Sequence, residues 1–133
     1  MSLYGRDANS PSARKIASSQ PVFLLTPLGE TEFINAVESL VFRSYWSRTD
    51  ADAILDHFSR QRTVGVFRSV PLDADVWDKA LDFSRSHTAS IGTRTIDILH
   101  VATAVVLKPD AFLTFDKRQA KLARAVGLRV LPA

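Results

Sequence analysis

Cysteine is absent from this 133-residue chain. That excludes a disulfide scaffold, a zinc–thiolate site, an iron–sulfur cluster and a cysteine nucleophile. Long apolar runs are absent too. The best, residues 101–107, falls far short of the roughly 20 residues a membrane-spanning helix needs. The first residues, Met1-Ser2-Leu3-Tyr4-Gly5, lack the basic region and apolar core of a signal peptide; a cytoplasmic location is the expectation. Residues 1–3 read as a vector-derived start. Six prolines and five glycines leave no room for a low-complexity linker. No Gly-x-Ser-x-Gly elbow, phosphate-loop lysine motif or Gly-x-Gly-x-x-Gly turn occurs. Internal repeats are also missing, which argues against a solenoid.

What remains is ordinary globular composition. Apolar residues make up 46% and charged residues 23%, so a single domain spanning 1–133 with a sizeable core is expected. Lys plus Arg is 17 against 14 Asp plus Glu, a net charge of +3. That balance allows a polyanionic partner without requiring one.

Along the chain, helices alternate with short apolar strands. Ser10-Pro11 is a helix-start signal, predicting a helix over 11–19. Val22-Phe23-Leu24-Leu25 reads as a buried strand. Thr26-Pro27 opens a long helix to about residue 46, with Phe33, Val37, Leu40 and Val41 on one face. Thr49 opens the next, to about 62, followed by a strand over 66–72 and a helix over 73–87. A loop over 90–93 leads to a helix over 95–107, stopped by Pro109. Residues 111–115 form a strand, and Asp116 caps a helix to 126, where Gly127 stops it. Residues 128–131 form a last strand. This alternation predicts an α/β fold, with a parallel sheet and helices on both faces.

Four acids stand at informative places. Glu32 follows the carboxyl end of one predicted strand and Asp116 that of another. Asp97 lies in the first turn of an otherwise apolar helix, and Asp110 begins a strand. Ligands of open α/β sheets bind beyond the carboxyl ends of the strands. Carboxylates gathered there repel unless a cation lies between them, and hard divalent ions prefer such oxygens. Each acid also has a plainer role. Asp116 with Gln119 spells a capping box. Asp97 complements its helix dipole and can pair with Arg94. Glu32 reads as a solvated helix residue, and Asp110 as a surface one. His100 shares a helix face with Asp97, and reads as a packed histidine. Lys117, Arg118, Lys121 and Arg124 share the last helix, as a solvated face or a phosphate contact.

The run Arg94-Thr95-Ile96-Asp97-Ile98-Leu99-His100-Val101-Ala102-Thr103-Ala104, then Phe112-Leu113-Thr114-Phe115-Asp116-Lys117-Arg118-Gln119, then Ala123 to Leu128, resembles a PIN domain. It is most similar to VapC-type toxins of bacterial toxin–antitoxin pairs. The segment from Leu25 to Ala36 resembles the family's second acidic motif. The resemblance implies a three-layer α/β/α fold and Mg²⁺- or Mn²⁺-dependent cleavage of RNA. By motif match, Glu32, Asp97 and Asp116 would be the catalytic and metal-holding acids, with Asn35 and Thr114 in support. An RNA substrate, a cognate antitoxin protein and a homodimer, formed by the helices around Leu40 to Phe58 with Phe42, Tyr45 and Trp46, complete the expectation.

One departure stands out. The family opens with an apolar strand ending in an aspartate, and this strand is central in the sheet. Here Leu3 to Ser10 resembles what normally follows that strand, and Asp7 has no apolar strand before it. The expected sheet therefore has its central first strand missing or replaced, and some other segment or a partner chain must fill the gap. The alternative function is a non-catalytic PIN-like interaction module that has lost a metal ligand. A homodimeric structural domain that binds no nucleic acid is the third reading.

Overall fold

The computed structural model describes residues 2–6 and 22–132 of the chain. The helix expected over 11–19 lies outside the described residues. The elements run β1 (Ser2–Arg6), β2 (Val22–Leu25), α1 (Pro27–Phe42), α2 (Arg48–Thr63), β3 (Phe67–Ser69), α3 (Asp75–Ile91), α4 (Thr95–Leu107), β4 (Ala111–Thr114), α5 (Lys117–Ala125) and β5 (Val130–Leu131).

Local chemistry sets the element boundaries. Thr26 caps α1, its hydroxyl accepting from the Gly29 amide at 3.0 Å, with Pro27 in the first helical turn. The helix stops at Phe42, short of the expected residue 46, because Ser44 takes a left-handed conformation with φ of 61°. The amides of Tyr45 and Trp46 then both turn back to the Leu40 carbonyl. Ser47 rather than Thr49 caps α2, accepting from the Asp50 amide at 3.1 Å. Helix α3 continues past the expected residue 87, until Gly92 closes it at φ 75°. Gly127 turns the chain after α5 at φ 91°, as its position in the sequence predicts.

The five strands form one sheet in the order β3-β2-β1-β4-β5. Pairs β2–β3 and β4–β5 are parallel, whereas β1 runs antiparallel to both β2 and β4. The expected all-parallel sheet is thus corrected to a mixed one. The central gap is filled from within the chain, by Ser2–Arg6, which the sequence reading left without a strand. Tyr4 stands opposite Leu24 on one side and Phe112 on the other. Backbone pairing alone explains the recruitment: two parallel pairs flanking an empty slot would leave a row of orphan donors and acceptors on each side.

Because β2 and β4 both oppose β1, strands β2, β3, β4 and β5 all point the same way. Their carboxyl ends share one edge of the sheet. The main core is built by Leu24 of β2, Phe112 of β4, Val76 and Ala80 of α3, Ile98 and Val101 of α4, and Leu122 of α5. Side chains alternate along a strand, so Phe23 points away from Leu24. Phe23 meets Phe67 with ring centroids 6.0 Å apart, Phe67 meets Phe58 of α2 at 5.1 Å, and Phe58 meets Phe33 of α1 at 4.6 Å. Helices α1 and α2 thus meet one side of β2, and α3, α4 and α5 the other. Trp77 of α3 is half exposed.

Candidate active site

Helix α4 is apolar and buried nearly all round, with Ile98, Val101, Ala102 and Ala104 sealed from water. Asp97 is nevertheless fully buried in its first turn. Burying a carboxylate is costly unless it is paired and hydrogen-bonded. Here both oxygens are served. Oδ2 accepts from the backbone amide of Arg94 at 2.9 Å and from Arg94 Nε at 3.2 Å. Oδ1 accepts from Gln119 Nε2 at 2.9 Å and from Arg94 Nη2 at 3.3 Å. Burial alone would raise the Asp97 pKa, but the hydrogen bonds from Arg94 and Gln119 and the Arg94 charge together hold it below the usual carboxylate range.

Asp116 follows β4 and caps α5, its Oδ1 accepting from the amides of Arg118 at 2.9 Å and Gln119 at 3.0 Å. Its other oxygen, Oδ2, accepts from Arg94 Nη2 at 3.1 Å. One guanidinium nitrogen therefore joins Asp97 to Asp116, and the carboxylates converge at the strand edge.

The expected capping box is half formed. The Gln119 side chain does not return to the Asp116 amide, which donates instead to Thr114 Oγ1 at 3.1 Å. Thr114 Oγ1 donates to Gln119 Oε1 at 3.0 Å, and Gln119 Nε2 donates to Asp97. Thr114 and Gln119 are both buried. This relay ties β4, α4 and α5 together beneath the acid pair. Sequence reasoning finds Gln119 only as a cap; that its side-chain amide links Asp97 to Thr114 is invisible until α4 and α5 are packed together.

Glu32 projects from α1 to His100 of α4, with Oε2 2.9 Å from His100 Nε2. An ionised Glu32 accepts here, so Nε2 carries the proton. His100 is fully buried, a packed histidine as expected, but one whose ring orients a candidate acid. Glu32 is close enough for its charge to stabilise the Arg94 cation. Even so, no group of three His, Asp or Glu side chains is poised as a metal-ligand set among the described residues. Asn35, one turn after Glu32, is exposed on α1. Asp110 precedes β4 at the opposite end of that strand from Asp116.

The donors at the acid pair are hard carboxylate oxygens, and they already share one cationic group. This chemistry fits a hard divalent ion. Around the pair, Phe115 is 80% exposed, and Lys117 and Arg118 next to it are exposed. Lys121 and Arg124 continue this exposed basic face along α5.

No curated protein matches the chain. The family model for the PIN domain matches residues 1–125. With nearly the whole chain under that match and paired acids at the carboxyl edge of its sheet, the protein belongs to the PIN-domain family, whose members are typically nucleases.

Proposed function

We propose that this protein is a divalent-metal-dependent endoribonuclease, the toxin half of a toxin–antitoxin pair, built on a three-layer α/β/α arrangement. The observation that carries the reading is the convergence of Asp97 and Asp116, from two separate elements, on one cationic nitrogen at the sheet edge. Asp97 and Asp116 would hold Mg²⁺ or Mn²⁺, with Glu32 contributing its charge from α1. The ion would lower the pKa of a bound water for attack on phosphorus.

The chain's own groups do the rest. Gln119 and the Arg94 amide fix the Asp97 carboxylate. The first amides of α5 fix Asp116. His100 orients Glu32. Exposed Lys117 and Arg118 offer charge to the phosphate backbone, and exposed Phe115 offers a face for a base to stack on. At the far end of α1, Phe42 is 89% and Tyr45 72% exposed. Such a pair supports the homodimer surface expected there.

The test is incubation of single-stranded RNA oligomers with the protein and Mn²⁺. Cleavage lost on chelation and lost in Asp116→Asn supports the reading. Equal cleavage by Asp116→Asn and the parent protein would sink it.

The second reading, a PIN-like module without turnover, is favoured by one observation: the cation between Asp97 and Asp116 is the protein's own Arg94. Absence of cleavage from a protein that captures a partner through the Phe42–Tyr45 surface would decide for it.

A further inference from the structure

The Arg94 guanidinium touches both acids of the pair through a single nitrogen. Its Nη2 lies 3.3 Å from Asp97 Oδ1 and 3.1 Å from Asp116 Oδ2. A divalent ion held by those two carboxylates would compete with the guanidinium for the same oxygens.

The surrounding bonds divide in a telling way. If the Arg94 side chain leaves, Asp97 Oδ2 keeps the Arg94 backbone amide at 2.9 Å, and Oδ1 keeps Gln119 Nε2 at 2.9 Å. Asp116 Oδ1 keeps the two α5 amides. Both carboxylates stay in place, and the bonds given up are those to the guanidinium. That guanidinium is well placed to depart, since the Arg94 side chain is 58% exposed while Asp97 is wholly buried. Arg94 also stays charged at any working pH: its bonds to Asp97, and the charges of Asp97, Asp116 and Glu32, raise its pKa further. Proton loss cannot open the site; displacement by another cation can.

We propose that Arg94 is a built-in counter-cation that closes the Asp97–Asp116 pair in the metal-free protein and swings out to solvent when a divalent ion binds. It keeps two neighbouring carboxylates from repelling in the absence of metal, and it sets the metal affinity by competing for the same oxygens. The inference rests on the metal-dependent reading above. It adds a residue that tunes that site from within the chain.

The test is calorimetric titration of Mn²⁺ alone into the full chain and into Arg94→Met, each checked for a cooperative melt. Two ion pairs that compete with the metal, one to buried Asp97 and one to partly exposed Asp116, are removed with the guanidinium, so the variant is expected to bind Mn²⁺ about tenfold tighter. Equal or weaker binding by Arg94→Met, with binding by the parent chain intact, overturns the counter-cation and leaves the metal site standing. Absence of binding by both folded proteins overturns the metal reading itself and the proposal with it. If Arg94→Met does not fold, the parent protein decides by Mg²⁺ titration followed at the Arg94 Nε–H resonance. That proton is expected to lose its protection from solvent exchange as Mg²⁺ binds. An unchanged Arg94 signal while the Asp97 and Asp116 signals shift overturns the proposal.

Discussion

At the scale of single residues, the two acids of the pair differ in what else they do, and that separates their variants. Asp116 is partly exposed and serves as an N-cap. Asparagine caps a helix about as well as aspartate, so Asp116→Asn is expected to keep stability to within about 0.5 kcal/mol, by urea unfolding, while losing metal-dependent cleavage. Asp97 is buried under bonds from Arg94 and Gln119. Asp97→Asn turns one acceptor oxygen into a donor facing other donors, and is expected to cost about 1–3 kcal/mol as well as activity.

The same bonds, outweighing burial, set a pH dependence. Asp97 has a folded-state pKa below its unfolded one, so the unfolded chain binds the extra proton first as pH falls. Its contribution to stability is complete above the ordinary aspartate range, and fades as pH drops from about 4 through the lowered folded value. The acid limb of a melting-temperature profile is expected to be shallower in Asp97→Asn. An identical acid limb in the two proteins would contradict this account.

At the scale of elements, most helices and strands were legible because their signals are local. Thr26-Pro27 starts α1, Asp116 starts α5 and Gly127 ends it, each through bonds or dihedrals within one turn. Gly127 sits at φ 91°, and an added Cβ would meet nothing within 4 Å. Gly127→Ala is therefore expected to destabilise through backbone strain alone, by about 1–2 kcal/mol, read as a lower melting temperature with an unchanged denaturant slope. The end of α1 was misread because Ser44, not a glycine, takes the left-handed turn there.

Strand β1 was missed for a different reason. Ser2–Arg6 has no apolar alternation to announce it, and its place depends on β2 and β4, far along the chain, offering backbone edges on both sides. A strand paired on both edges uses its amides whichever way they point. Tyr4→Pro removes one such amide and is expected to cost at least about 1 kcal/mol by urea unfolding.

At the scale of the whole molecule, the exposed features gather into two regions. One is the acid edge with Phe115 and the basic face of α5. The other is the Phe42–Tyr45 corner, for which self-association is the proposed use. A double Phe42→Ala, Tyr45→Ala protein is expected to sediment as a monomer at concentrations where the parent is a dimer; a monomeric parent would remove that part of the reading.

Sequence by itself determined the α/β alternation, most of the helix starts, the family and the three acids worth attention. Those are properties of neighbouring residues and of a motif written along the chain. Only the tertiary structure decided that the central strand runs backwards, that Gln119 joins Asp97 to Thr114, that His100 holds Glu32, and that Arg94 spans Asp97 and Asp116. Arg94 and Asp97 are three residues apart, and their pairing could be foreseen from helical spacing. Arg94 and Asp116 are 22 apart. Their contact exists because α4 begins at the edge of the sheet where β4 ends, which is a consequence of packing and of strand direction rather than of local chemistry.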